Sequence, residues 1–124
     1  MSDFSAFTKK TQNPVDRFIG LCLYSSSFMH SEHFATKSYS HHKTYENFYE
    51  SMPELIDAFV EIYLGSGNSY TKVFPTTITS ADHLLDSIIQ GAEEIYEQSC
   101  TAGQSALDEI ITLCRKTKYL LTLK

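Results

Sequence analysis

An all-α fold, in the form of an antiparallel four-helix bundle, is the expectation from three features of the sequence. Apolar residues recur every three or four positions in four separate segments. Capping and helix-ending residues punctuate those segments, and no stretch alternates apolar with polar residues as a half-buried strand would. The length of 124 residues suits one domain around one core, and 42% hydrophobic with 20% charged residues is the balance of a globular chain.

The elements follow in order. Residues 1–12 carry no period and read as a flexible N-terminal arm, leaving 13–124 as a single bundle domain. Asn13-Pro14 starts the first helix, with Asn13 as cap and Pro14 where a missing N–H does no harm. It runs to about His33, and Val15, Phe18, Cys22, Ser25 and Met29 mark its buried stripe. Residues 34–40, FATKSYS, form a connection. The second helix, from about His41 to Tyr63, has the clearest pattern: Tyr45, Phe48, Tyr49, Met52, Leu55, Ile56, Phe59, Val60 and Tyr63 share one face. Pro53 removes a backbone hydrogen bond there, so a kink is expected, or a break re-capped by Ser51 with Glu54 three residues on.

Gly65-Ser66-Gly67-Asn68 ends that helix, and Ser69 to Thr79 is a long connection with room for a helical turn. Ser80 caps a third helix to about Gln98, with Leu84, Leu85, Ile88, Ala92, Ile95 and Tyr96 in its core stripe. Cys100 to Gly103 turns the chain. A fourth helix from Ser105 to about Leu121 buries Leu107, Ile110, Ile111, Cys114 and Leu121.

Charge and composition exclude several classes of function. The net charge is −5 and the basic residues are scattered, so the chain lacks the cationic face a sequence-independent DNA binder needs, and no strong nucleic-acid binding is expected. No apolar run approaches the ~20 residues of a membrane span. Met1 to Gln12 is polar, contains Lys9 and Lys10 and has no apolar segment of signal-peptide type, so a cytoplasmic protein is the expectation. Cys22, Cys100 and Cys114 are odd in number and widely spaced, which fits reduced thiols better than a disulfide framework or a zinc site. Cys22 and Cys114 fall on apolar stripes as core residues, and Cys100 falls in a turn.

Histidine is where the chemistry gathers. His30, His33, His41 and His42 lie within thirteen residues, and Asp57 and Glu61 follow one turn apart on the second helix. Imidazole and carboxylate together suit iron or zinc. His41 reads as an exposed neighbour of His42, and His83, with Asp82 and Asp86, as part of the start of the third helix. At about 100° per residue, Asp57 and Glu61 point roughly 130 to 170° away from the apolar stripe. They face outward, and any metal they bind must take its remaining ligands from another chain.

The spacing of His30, twelve residues to His42, fifteen to Asp57 and four to Glu61 resembles that of the ferroxidase ligands in the Dps mini-ferritins, a branch of the ferritin-like superfamily. The likeness covers His30 to about Gly67, and in style the run looks like small Dps-like proteins of tailed bacteriophages. The family has a tryptophan after its first histidine. Here Ser31 follows His30 and Phe34 follows His33, so either histidine fits the first ligand position. The resemblance implies a ferritin-like bundle that binds iron, with zinc as a substitute, and oxidises Fe(II) at a site shared between subunits. His30 or His33 and His42 would come from one chain, Asp57 and Glu61 from its neighbour, making a homo-oligomer, dimer or larger. A different class of reading is a non-enzymatic helical oligomer, phage-encoded, that binds a host or virion protein through its exposed faces.

Overall fold

The computed structural model describes residues 13–75 and 77–124; the expected arm, residues 1–12, lies outside the described residues. Among them are four α-helices and no strand: α1 Pro14–Ala35, α2 Tyr39–Gly65, α3 Ala81–Tyr96 and α4 Thr101–Leu120.

Local chemistry sets the boundaries. Asn13 Oδ1 accepts the Val15 N–H at 2.7 Å, and Pro14 occupies the first turn of α1. Ser38 Oγ accepts the His41 N–H at 3.2 Å, which starts α2 earlier than the apolar pattern alone suggests. Ser80 Oγ accepts the His83 N–H at 3.1 Å at the head of α3. Gly67 takes φ +97° just beyond α2, a conformation open to glycine and poor for other residues. The joints at 36–38 and 97–100 are short, and the sequence expectation of a connection over 34–40 is corrected to three residues.

Pro53 lies inside an unbroken α2, so of the two expected outcomes, a kink or a re-capped break, the break does not occur. Its side chain is exposed. The helical turn allowed for between Ser69 and Thr79 is absent among the described residues. α4 begins at Thr101, a turn before the expected Ser105, and Gly103 is buried within its first turn.

Each helix packs closely on two others, α1 on α2 and α3, and α4 on α2 and α3, while the pairs α1/α4 and α2/α3 face each other diagonally across the core. Arg17 near the start of α1 pairs with Glu94 near the end of α3 at 3.9 Å, so these two run antiparallel. Lys118 near the end of α4 reaches Asp82 at 3.4 Å and Asp86 at 2.5 Å at the start of α3. His41 Nε2 bonds the Leu123 carbonyl at 2.8 Å, setting the start of α2 beside the end of α4. α2 and α3 therefore run the same way, and residues 66–80 climb the length of the bundle to join them. Fifteen residues reach up to ~50 Å, about twice the ~24 Å length of α3.

That crossover lies against α1. A Cβ on Gly20 would overlap the Val73 carbonyl oxygen, so the glycine is what admits the crossover backbone. Inside the ring of helices sit Phe18, Phe48, Phe59, Met29, Met52, Ile56, Leu84, Leu85, Ile88, Ile95 and Leu107, all nearly or fully buried. Cys22 and Cys114 are buried among them, as expected, and Cys100 is exposed. No helix among the described residues is long and apolar enough to cross a membrane.

Candidate metal centre

The short joint between α1 and α2 brings the histidines together. His33 is in the last turn of α1 and His42 in the first turn of α2, and their rings stack at 3.6 Å between centroids and 21° between planes. His33 Nδ1 lies 2.8 Å from the His42 carbonyl oxygen, and His42 Nδ1 lies 2.9 Å from the His33 carbonyl oxygen. A carbonyl only accepts, so each Nδ1 carries the proton and donates it. That leaves Nε2 as the nitrogen able to offer a lone pair to a metal. This is the tautomer a metal-binding imidazole takes when its other nitrogen donates to a backbone carbonyl.

Glu46, one turn after His42, completes a group of three. One potential ligand atom from each of His33, His42 and Glu46 lies within 4.8 Å of the others. Ligands around a tetrahedral ion at 2.0–2.1 Å stand about 3.4 Å apart, so modest side-chain rotation closes the group. His33 is buried, and His42 and Glu46 are half-buried. Lys43 Nζ holds both Glu46 carboxylate oxygens, at 3.2 and 3.3 Å. The hydrogen bond to Glu46 also raises the Lys43 pKa above its ordinary value.

Aromatic rings wall the site. His30 stacks on Tyr49 at 4.1 Å and on Phe34 at 5.1 Å, and Tyr39 lies over His42 at 6.2 Å. Burial of the Tyr49 ring raises its hydroxyl pKa. Phe34 is 74% and Tyr39 76% exposed, large apolar groups at the rim of this end of the bundle.

The residues expected to bind metal thus fall into three places. His33 and His42 share a site. His30 is exposed and stacked beside it, with its ring 6.0 Å from that of His33. Asp57 and Glu61 are exposed on the outer side of α2, as the helical angle implied, and at 1.5 Å per residue Asp57 is about 22 Å along the helix from His42. They do not join the histidines within this chain. Glu46 was missed by the sequence reading, although its signal was there: a carboxylate four residues after a histidine shares its helical face. His41 points instead to Leu123, whose carbonyl it bonds. His83 serves the head of α3, where its Nδ1 is 3.4 Å from the Thr79 N–H and 3.3 Å from the Thr79 hydroxyl.

Comparison with known proteins adds kinship and no activity. Residues 33–121 match a family of unknown function, DUF5856, and the match begins at the first of the two stacked histidines. A protein of Enterobacteria phage T4, described as an uncharacterized 14.6 kDa protein in the mobD-ri intergenic region, is 38% identical over 127 residues. The alignment covers 99% of this chain and 98% of the phage protein. No solved structure matches.

Proposed function

We propose that this chain, which belongs to the family of unknown function DUF5856, is a phage-type helical protein that binds a divalent transition metal at His33, His42 and Glu46. The observation that carries the reading is the reciprocal pair of Nδ1–H to carbonyl bonds across the α1–α2 joint. It sets Nδ1 as the donor in both rings and leaves Nε2 as the nitrogen able to take a metal, with the Glu46 carboxylate grouped with the same two histidines. Two imidazoles and one carboxylate suit iron(II) or zinc, and three protein ligands leave coordination positions open to water or a small ligand. Such an ion would pin the end of α1 to the start of α2, so occupancy and folding are linked. The test is dialysis against zinc or iron(II) followed by elemental analysis. One ion per chain in the wild type, lost in Glu46→Gln and His42→Ala, supports the reading; no retained metal overturns it.

The finer reading, a ferritin-like Dps-type ferroxidase, rests on the resemblance together with the topology. Four helices with a single long crossover are the connectivity of ferritin-like bundles. On that reading His33 and His42 are the imidazole donors, and Asp57 and Glu61 come from a second subunit in a homo-oligomer. Asp57→Ala/Glu61→Ala should then lose Fe(II) oxidation. Mixing it with a His33→Ala/His42→Ala variant should restore part of the activity through hybrid sites. Activity in either variant alone, or none after demonstrated subunit exchange, refutes the shared site. The non-enzymatic reading draws on the exposed Phe34 and Tyr39, whose large apolar rings suit a protein partner at the same end. On either reading the protein works in the cytoplasm of a host cell, as befits a relative of a T4 protein.

A further inference from the structure

We propose that Lys43 gates the metal centre: its ammonium is the cation that Glu46 holds in the metal-free chain, and a divalent ion has to displace it to use that carboxylate. The inference rests on the metal-binding reading above and names its regulation.

Lys43 and Glu46 are three residues apart on α2, so their side chains emerge on one face. The ammonium sits on both carboxylate oxygens, at 3.2 and 3.3 Å, rather than on one. The same carboxylate has an oxygen within 4.8 Å of a ring nitrogen of His33 and of His42, and no other lysine or arginine is shown paired with it among the described residues. A metal that takes Glu46 as its third ligand approaches the face Lys43 occupies.

Two effects oppose occupancy. The metal must break the Lys43–Glu46 pair, and the displaced ammonium stays tethered within a turn of the ion, where the two positive charges repel. The pair is at the surface, so the combined effect is moderate, about three- to tenfold in affinity. Lys43 thereby compensates the carboxylate when the site is empty and sets the metal concentration at which it fills. A neutral residue at 43 makes the site tighter without touching a ligand.

Cobalt(II) titration of the full chain, followed by calorimetry, tests this. Lys43→Met should bind cobalt about three- to tenfold more tightly than the wild type, and Lys43→Arg should stay close to the wild type because it keeps the charge. Adding Lys43→Met to Glu46→Gln should restore no binding, since the carboxylate for which Lys43 competes is itself a ligand; cobalt binding recovered by that double variant would overturn the gate. Equal or weaker binding by Lys43→Met, with normal binding by the wild type, overturns the gate while sparing the metal centre. Failure of both the wild type and Lys43→Met to bind cobalt overturns the metal-binding reading, and the gate with it.

Discussion

Replacing Gly20 by alanine tests the packing of the crossover, because the sign of the effect differs between this arrangement and any other. At an open helical position Gly→Ala stabilises by up to about 1 kcal/mol, since alanine loses less backbone freedom on folding. At Gly20 the new Cβ would overlap the Val73 carbonyl oxygen, a backbone atom that moves only if the crossover retreats from α1. Overpacking of this kind costs about 1–3 kcal/mol. Retreat would also uncover Val73 and loosen Tyr70 and Ile78, which are half-buried against the core. Working from the upper part of that range less the propensity gain, Gly20→Ala should lose about 2 kcal/mol. For a domain of this size that lowers Tm by roughly 8 °C. Gly65→Ala is the matched control, because a Cβ there meets nothing within 4 Å. Urea and thermal unfolding by circular dichroism measure both. A Gly20→Ala chain as stable as the wild type, or more so, would refute the crossover packing.

The remaining predictions are these. His33→Ala should destabilise even the metal-free chain by about 1–3 kcal/mol, because it empties a buried site and removes the imidazole bond to the His42 carbonyl that ties α1 to α2; urea midpoints report it, and an unchanged midpoint would count against the clamp. Asp57→Ala/Glu61→Ala should shift stability by less than about 0.5 kcal/mol and leave the stoichiometry at His33, His42 and Glu46 intact, since both carboxylates are exposed. Cys100 should be the one thiol alkylated in the folded chain, and its thiolate should form below the usual thiol range, because the Gly103 N–H donates to the sulfur. Burial moves Cys22 and Cys114 the other way, Cys114 to about 12, so both should react only on unfolding; mass spectrometry after iodoacetamide at several pH values checks the order.

Sequence reasoning recovered the helices because their signal is periodic and local. The i, i+3, i+4 pattern and the caps Asn13, Ser38 and Ser80 need no knowledge of tertiary structure, although Ser38 was read as part of a loop. Outward placement of Asp57 and Glu61 was legible for the same reason, as an angle around one helix. The stacked pair was not legible. The resemblance groups His30 or His33 with His42, but the ring stacking and the reciprocal bonds depend on α1 reaching Ala35 and α2 starting at Tyr39, a three-residue joint that bounds off by two residues at each end conceal. Pro53 shows the converse. A local penalty argued for a break, but Met52 and Ile56 on either side are buried in the core, and that packing keeps the helix continuous. Glu46 escaped because a carboxylate on a polar helical face acquires meaning only when the neighbouring helix delivers a second imidazole.

X-ray absorption at the zinc edge of the zinc-loaded protein tests the account most directly, since it reads the ligand atoms themselves. The account expects two imidazole nitrogens and a carboxylate oxygen around one ion per chain, with the outer-shell signature of imidazole and no sulfur. His33→Ala and His42→Ala should each remove that signature along with the metal. A spectrum with sulfur neighbours, one without imidazole, or one that either substitution leaves unchanged would contradict the site at the α1–α2 joint.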